Sequence, residues 1–160
     1  MPTIEIRRTS RLAAPAEEVW AFAISEAGLA HEFGPWMRMT IPRGLRGRTI
    51  ADVPVGEPLG RSWLLFARFL PFDYDDLTLA EIGPGRRFLE HSKLGSARSW
   101  QHERLVAETG EGACELTDAL TLVPRAPITA LRLEWLASTI VGAVFDHRHR
   151  RLRERWGSAV

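Results

Sequence analysis

His102 and Asp118 are the side chains in this sequence best suited to moving a proton, and Glu90, Trp100 and Arg104 stand close by along the chain. Residues 99–108 and 114–123 alternate polar with apolar types, with Gly110 and Gly112 between them, which predicts two strands of a hairpin. If the chain turns about Gly110, Trp100 faces Leu120, His102 faces Asp118, Arg104 faces Leu116 and Val106 faces Cys114. Strand alternation puts all of these on one face, and a slip of one residue would break the His102–Asp118 pairing. Trp100, Val106, Cys114, Leu116 and Leu120 mark that face as the inner one. His102, Arg104 and Asp118 then become polar groups inside, or at the rim of, an apolar cavity, where they must be partnered or cost stability. A few polar groups converging in an apolar pocket is the common design of a small-molecule site.

Three readings of the cluster stand side by side. Asp118 orients the His102 imidazole, which exchanges a proton with a bound carbonyl or hydroxyl compound. Alternatively the pair anchors a ligand without chemistry, or the two residues only satisfy each other. Glu90 and Phe88, on one strand with Ser92, are candidates for the same cavity. Among the aromatic residues, Trp36, Trp63, Trp100 and Trp135 are candidate lining for a cavity that favours flat apolar ligands; tryptophan serves the core more often. His147 and His149 are two apart, not the i, i+4 pair of a helical metal site, so no metal is expected. Cys114 is a strand residue without an activating neighbour, and no Gly-x-Ser-x-Gly elbow occurs. Gly83-Pro84-Gly85 lacks the spacing of a phosphate-binding loop, so no nucleotide cofactor is expected.

The elements that must position these residues follow from periodicity. Residues 3–12 alternate and read as a first strand. Pro15, Glu17 and Glu18 open a helix whose buried face is Val19, Trp20, Ala23 and Ile24, with Gly28 as its stop. A second short helix covers 29–33, and 37–41 is a strand. The stretch 43–60 is rich in Gly and Pro, with a short strand expected at 49–53. Strands follow at 61–66, 77–82 and 87–93. Between the first two lies an apolar connection, Phe69-Leu70-Pro71-Phe72, that either gates the cavity or tucks into the core. The chain from Pro127 to Trp156 has no internal Pro and reads as one long helix, at roughly 1.5 Å per residue about 40 Å. Ile128, Leu131, Trp135, Phe145, Leu152 and Trp156 form one stripe along it. Leu133, Leu136, Ile140 and Val144 form a second, which reads as an interface for a second copy of the chain or as a seat for the first helices. The arginine-rich end beyond Phe145 is expected to be solvated and to complement the helix dipole.

One strand, two short helices, successive hairpin-linked strands and a long terminal helix make an α+β fold, with an antiparallel sheet and helices segregated to the chain ends. With 160 residues, 45% of them apolar, the chain is expected to form a single domain over 1–160. The formal charge of +1 argues against a nucleic-acid binder. A lone cysteine excludes an internal disulfide. The opening Met-Pro-Thr-Ile-Glu-Ile lacks a charged-then-apolar leader, and Arg132 and Glu134 interrupt the best apolar run. The expectation is a cytoplasmic protein with no stable membrane insertion.

Ala14-Pro15-Ala16-Glu17-Glu18-Val19-Trp20 after a first strand resembles the opening of the START-like superfamily, also called SRPBCC or polyketide cyclase/dehydrase-like. Gly85-Arg86-Arg87-Phe88, Trp100-Gln101-His102-Glu103, Thr117-Asp118 and Phe145-Asp146-His147-Arg148-His149 are similar to one bacterial branch of it. The resemblance implies the helix-grip fold, a curved antiparallel sheet of six to seven strands wrapped around the terminal helix with a hydrophobic ligand cavity between them. It does not imply one activity, because the superfamily holds carriers, receptors and cyclases. Three functions follow as expectations: a non-catalytic carrier or sensor of a lipid- or polyketide-like molecule, a cyclase or dehydratase with His102 as general acid/base, and a protein-interaction module using the terminal helix.

Overall fold

The structure, a computed structural model, describes residues 1–160. Its strands are β1 (Ile4–Leu12), β2 (Met37–Met39), β3 (Pro58–Phe66), β4 (Leu70–Ile82), β5 (Arg87–Leu94), β6 (Ala97–Gly110) and β7 (Ala113–Pro124). Helices α1 (Ala16–Ala23) and α2 (Glu26–Phe33) follow β1, and α3 (Ala126–Ala130) and α4 (Glu134–Trp156) follow β7. All seven strands form one antiparallel sheet in the order β1-β7-β6-β5-β4-β3-β2, curved around α4 as in the helix-grip arrangement. Strands β3 to β7 pair in succession through short turns, β2 joins β3 from the far end of residues 40–57, and β1 returns to pair with β7.

The terminal helix is broken where one continuous helix was expected. Arg132 adopts φ +54°, a left-handed conformation that ends α3 and lets α4 begin afresh at Glu134. The C-terminal half of α4 packs on β1 and α2, burying Phe145, His147, Arg148, His149 and Leu152. Ala137, Val141 and Val144 of its N-terminal half pack toward the sheet, whereas Trp135 in its first turn and Leu131 just before it, both of the first stripe, are 66% and 68% exposed. The residues of the second stripe, Leu133, Leu136, Ile140 and Val144, line the space between helix and sheet.

Two further expectations change. The 49–53 strand is replaced by single 3-10 turns at Arg43–Leu45 and Ile50–Asp52, since glycine and proline punctuate this stretch too densely for a ladder. The apolar connection 69–72 is the rim of a β3–β4 hairpin. Ala67 and Arg68 take positive φ in a loop after which Leu70 pairs with Phe66, so β4 begins seven residues before the expected Leu77. Phe69 is 76% exposed and does not enter the core.

Close packing at one glycine fixes where α2 sits. A Cβ on Gly28 would lie 1.8 Å from the Phe22 carbonyl oxygen, so only glycine lets α2 fold back on α1. Ser25 caps α2 by accepting a hydrogen bond from the Gly28 N–H at 3.0 Å. This tight corner delivers Glu32 and Phe33 to the interior, where both are buried.

Candidate functional site

A cavity of about 320 Å³ lies between the concave face of the sheet, α2 and α4. Leu77, Leu79, Phe88, Trp100 and Leu122 form its sheet wall, and Ala137, Ile140, Val141, Val144 and Phe145 its helix wall. Phe72, Leu136 and Ile140 line it and are also 47%, 37% and 49% exposed, which places its mouth between the start of β4 and the N-terminal half of α4.

At the closed end lies a buried network of charged side chains. The β6–β7 hairpin turns at Glu111–Gly112, with Gly112 at φ +69°, and not about Gly110. The register is therefore shifted by two from the expected one: Arg104 faces Asp118, His102 faces Leu120, Val106 faces Leu116 and Trp100 faces Leu122. A shift of two preserves the face of every side chain, so the same residues still point inward. His102 Nε2 reaches Asp118 Oδ1 diagonally at 2.7 Å.

Asp118 accepts four hydrogen bonds: from His102 and Arg104 Nε on Oδ1, and from Arg104 and His149 Nε2 on Oδ2, at 2.7 to 2.8 Å. Burial alone would raise its carboxyl; the charge and hydrogen bonds of Arg104, then His102, hold it well below the ordinary range. Arg104 also forks onto Glu32, at 2.8 and 2.9 Å, and Arg148 reaches Glu32 at 3.3 Å. Burial raises Glu32 too, but these two arginines bring its carboxyl below the usual value. His149 completes the chain: its Nδ1 lies 2.7 Å from Ser10 Oγ, and Ser10 in turn accepts from Arg153. Because Asp118 can only accept, it is His149 Nε2–H that faces it.

His102 is held on both sides. Burial favours its neutral form, yet Asp118 and then Glu90, 3.5 Å from Nδ1, outweigh it and raise the imidazole above its ordinary value. Phe88, Trp100 and Phe145 enclose the ring edge-on. Neither nitrogen is free to meet a ligand without breaking a contact already made. The ring can therefore brace and charge this end of the cavity more readily than it can shuttle a proton.

Of the sequence candidates, Phe88, Glu90, Trp100, His102 and Arg104 come together at the cavity, with Asp118 directly behind them. Trp36, Trp63 and Trp135 do not line it. Ser62 points inward, so its neighbour Trp63 points outward, where it packs against Tyr74 under Arg61. Trp36, in the turn after α2, is 63% exposed, and Trp135 lies on the outer side of α4. The basic end of α4 is not all solvated either: His147 bonds the Gly34 carbonyl oxygen at 2.8 Å, and Arg148 lies 4.8 Å from the ring centres of both Phe33 and Phe145. Sequence reading missed Glu32, Ser62, Asp75, Arg148 and His149. Glu32 had one signal, a carboxylate beside Phe33 and three residues after Leu29 on the apolar side of a short helix. No group of three or more His, Cys, Asp or Glu is arranged to hold a metal ion. No helix is long and apolar enough to cross a membrane.

A family model described as a domain of unknown function (DUF8410) matches residues 10–156. No curated protein matches the sequence significantly. Among solved structures, a START superfamily protein from Mycobacterium smegmatis superposes with a TM-score of 0.66 at 11% identity, covering 95% of this chain and 96% of that one. The Zhui aromatase/cyclase from Streptomyces sp. R1128 gives 0.58 at 18% identity, over 96% and 93%. A norcoclaurine synthase point mutant from Thalictrum flavum, bound to a transition-state analogue, gives 0.58 at 16% identity, over 96% of both chains. At these identities the likeness is one of fold.

Proposed function

The chain belongs to the DUF8410 family, on the START-like helix-grip fold, and we propose that it binds a small, largely apolar molecule between sheet and α4 as a non-catalytic carrier or sensor. The observation that carries this reading is the cavity itself: about 320 Å³, walled by apolar side chains and opening beside Phe72, Leu136 and Ile140. That volume is at the lower end of the roughly 300–1,000 Å³ typical of small-molecule sites. A lipid- or polyketide-like compound fits its chemistry, and a single domain suffices to hold it.

General acid–base chemistry by His102 is the second reading. It is favoured by the position of the ring in the cavity wall, and by solved enzymes of this fold such as the aromatase/cyclase. The commitment of both ring nitrogens weighs toward binding.

The test is native mass spectrometry of gently purified protein together with uptake of N-phenyl-1-naphthylamine, an apolar fluorescent probe. A mass excess lost on denaturation, or saturable probe uptake that Val141→Trp reduces by about tenfold or more through filling the cavity, is the expected result. No excess and no uptake by the wild type would overturn the reading. Conversion of an extracted compound by the wild type, lost by about 100-fold in His102→Ala with binding retained, would establish the enzyme instead.

A further inference from the structure

The sheet wall of the cavity is not uniformly apolar. Ser62 on β3 and Asp75 on β4 are direct cross-strand partners, and Glu90 on β5 lies beyond them; all three are buried and all three line the cavity. Ser62 Oγ, Asp75 Oδ1 and Glu90 Oε1 have no hydrogen-bond partner, and Ser62 is completely shielded from solvent. The neighbouring Asp73 differs: its oxygens are engaged by Ser96 and by the Tyr74 N–H. Unpartnered buried oxygens are uncommon, and three on one patch of an otherwise apolar wall call for an explanation.

Charge narrows the explanation. Glu90 is kept ionised: burial raises it, but His102 more than compensates. Asp75 is pushed well above the ordinary carboxylate value by burial first and by the neighbouring Glu90 second. Two buried carboxyl groups thus face the cavity together, and Ser62 beside them stays unpaired. A donor on a ligand would satisfy the oxygens left open there. A carboxylate would meet Glu90 with like charge. On the opposite wall Arg148 Nε is also unpartnered, and it is the cationic atom that an acidic ligand would seek.

We propose that the ligand of this cavity carries a hydrogen-bond-donating head, a hydroxyl or a protonated amine, which Ser62, Asp75 and Glu90 receive while its apolar body runs toward the mouth at Phe72 and Ile140. This inference rests on the binding reading above and names the chemical class of the molecule bound. It makes the site selective for donor-bearing amphiphiles over molecules of equal size that only accept.

The experiment is displacement of N-phenyl-1-naphthylamine from the wild-type protein at neutral pH by four ten-carbon or size-matched competitors: decan-1-ol, decylamine, decanoate and 1-methoxynonane. The alcohol and the methyl ether are isomers, and the ether, having no donor, is the less water-loving of the two. An apolar cavity with no polar seat therefore favours the ether. The expected result is the reverse: decan-1-ol or decylamine binds about tenfold or more tighter than 1-methoxynonane, the worth of one hydrogen bond to a charged acceptor. Whichever of the two donors binds tighter identifies the head. In Asp75→Leu this preference drops to about twofold or less while the probe still binds, and in Ser62→Ala it falls part of the way. If the probe enters but the ether or decanoate competes as well as the donors, the head-group assignment is wrong and the cavity reading stands. If the probe never enters, the cavity reading itself is wrong.

Discussion

Replacing Arg104 by Met removes the centre of the buried network while keeping its length and most of its packing. Arg104 is 1% exposed and donates four hydrogen bonds, two to Asp118 and two to Glu32. Both carboxylates are completely buried, so each loses its principal counter-charge without gaining water. They are not stripped bare: Arg148 still reaches Glu32, and His102 and His149 still reach Asp118. Breaking a buried pair from one side costs roughly 3–5 kcal/mol, and these surviving partners argue for about 4. With a urea m-value of about 2 kcal/mol/M, the unfolding midpoint should move down by about 2 M. Equivalently, Tm should fall by about 12 °C at roughly 3 °C per kcal/mol for a domain of this size. Neutralising one stranded carboxylate should recover part of the loss, so the double variant Arg104→Met/Glu32→Gln is expected to regain about 1–2 kcal/mol. The assay is urea denaturation followed by tryptophan fluorescence and far-UV circular dichroism, with coincident transitions required. A midpoint shift below about 0.5 M, or a double variant less stable than Arg104→Met alone, would refute the account of Glu32 and Asp118 as buried charges held by Arg104.

Stability should also depend on pH in a direction set by His102. Its folded proton affinity is raised, so its contribution is complete below about pH 6.5, the unfolded value, and is lost as pH rises through the folded one. Asp118, Glu32 and Glu90 are depressed, so theirs is present above about pH 4 and lost as pH falls through their folded values. Asp75 is raised and, like His102, favours the folded state less as pH climbs. Urea midpoints measured from pH 5 to pH 9 should therefore decline toward the alkaline end, and less steeply in His102→Gln; equal slopes in the two proteins would contradict this. A third prediction concerns the corner that delivers Glu32. Gly28→Ala forces a methyl group into the Phe22 carbonyl and should cost about 3 kcal/mol or more, seen as a Tm lower by about 9 °C. An unchanged Tm would mean that α2 can shift freely, and Glu32 with it.

Much of this architecture can be read from the chain alone, and particular residues show why. Alternation in 99–108 and 114–123 places His102, Arg104 and Asp118 on one inward face, because side-chain direction in a strand has a period of two. A register error of two residues leaves that face intact, which is why the grouping is legible even though the pairing is not. The Gly and Pro punctuation, the opening helix with its acidic first turn, and the resemblance to the START-like superfamily together specify the order of strands and helices.

Tertiary structure alone decides the rest. Nothing local tells that Arg132 turns left-handed and breaks the terminal helix, or that the second apolar stripe of that helix lines a cavity. Trp63 points outward because Ser62 points in, a parity set by which face of β3 the fold buries. Glu32, Ser62, Asp75, Arg148 and His149 come from four separate elements, and their charges acquire meaning only when the fold removes water from between them. Local sequence fixes direction and periodicity, which are properties of neighbouring bonds. Burial and partnership are properties of the whole chain's path through space, and the site is made of those.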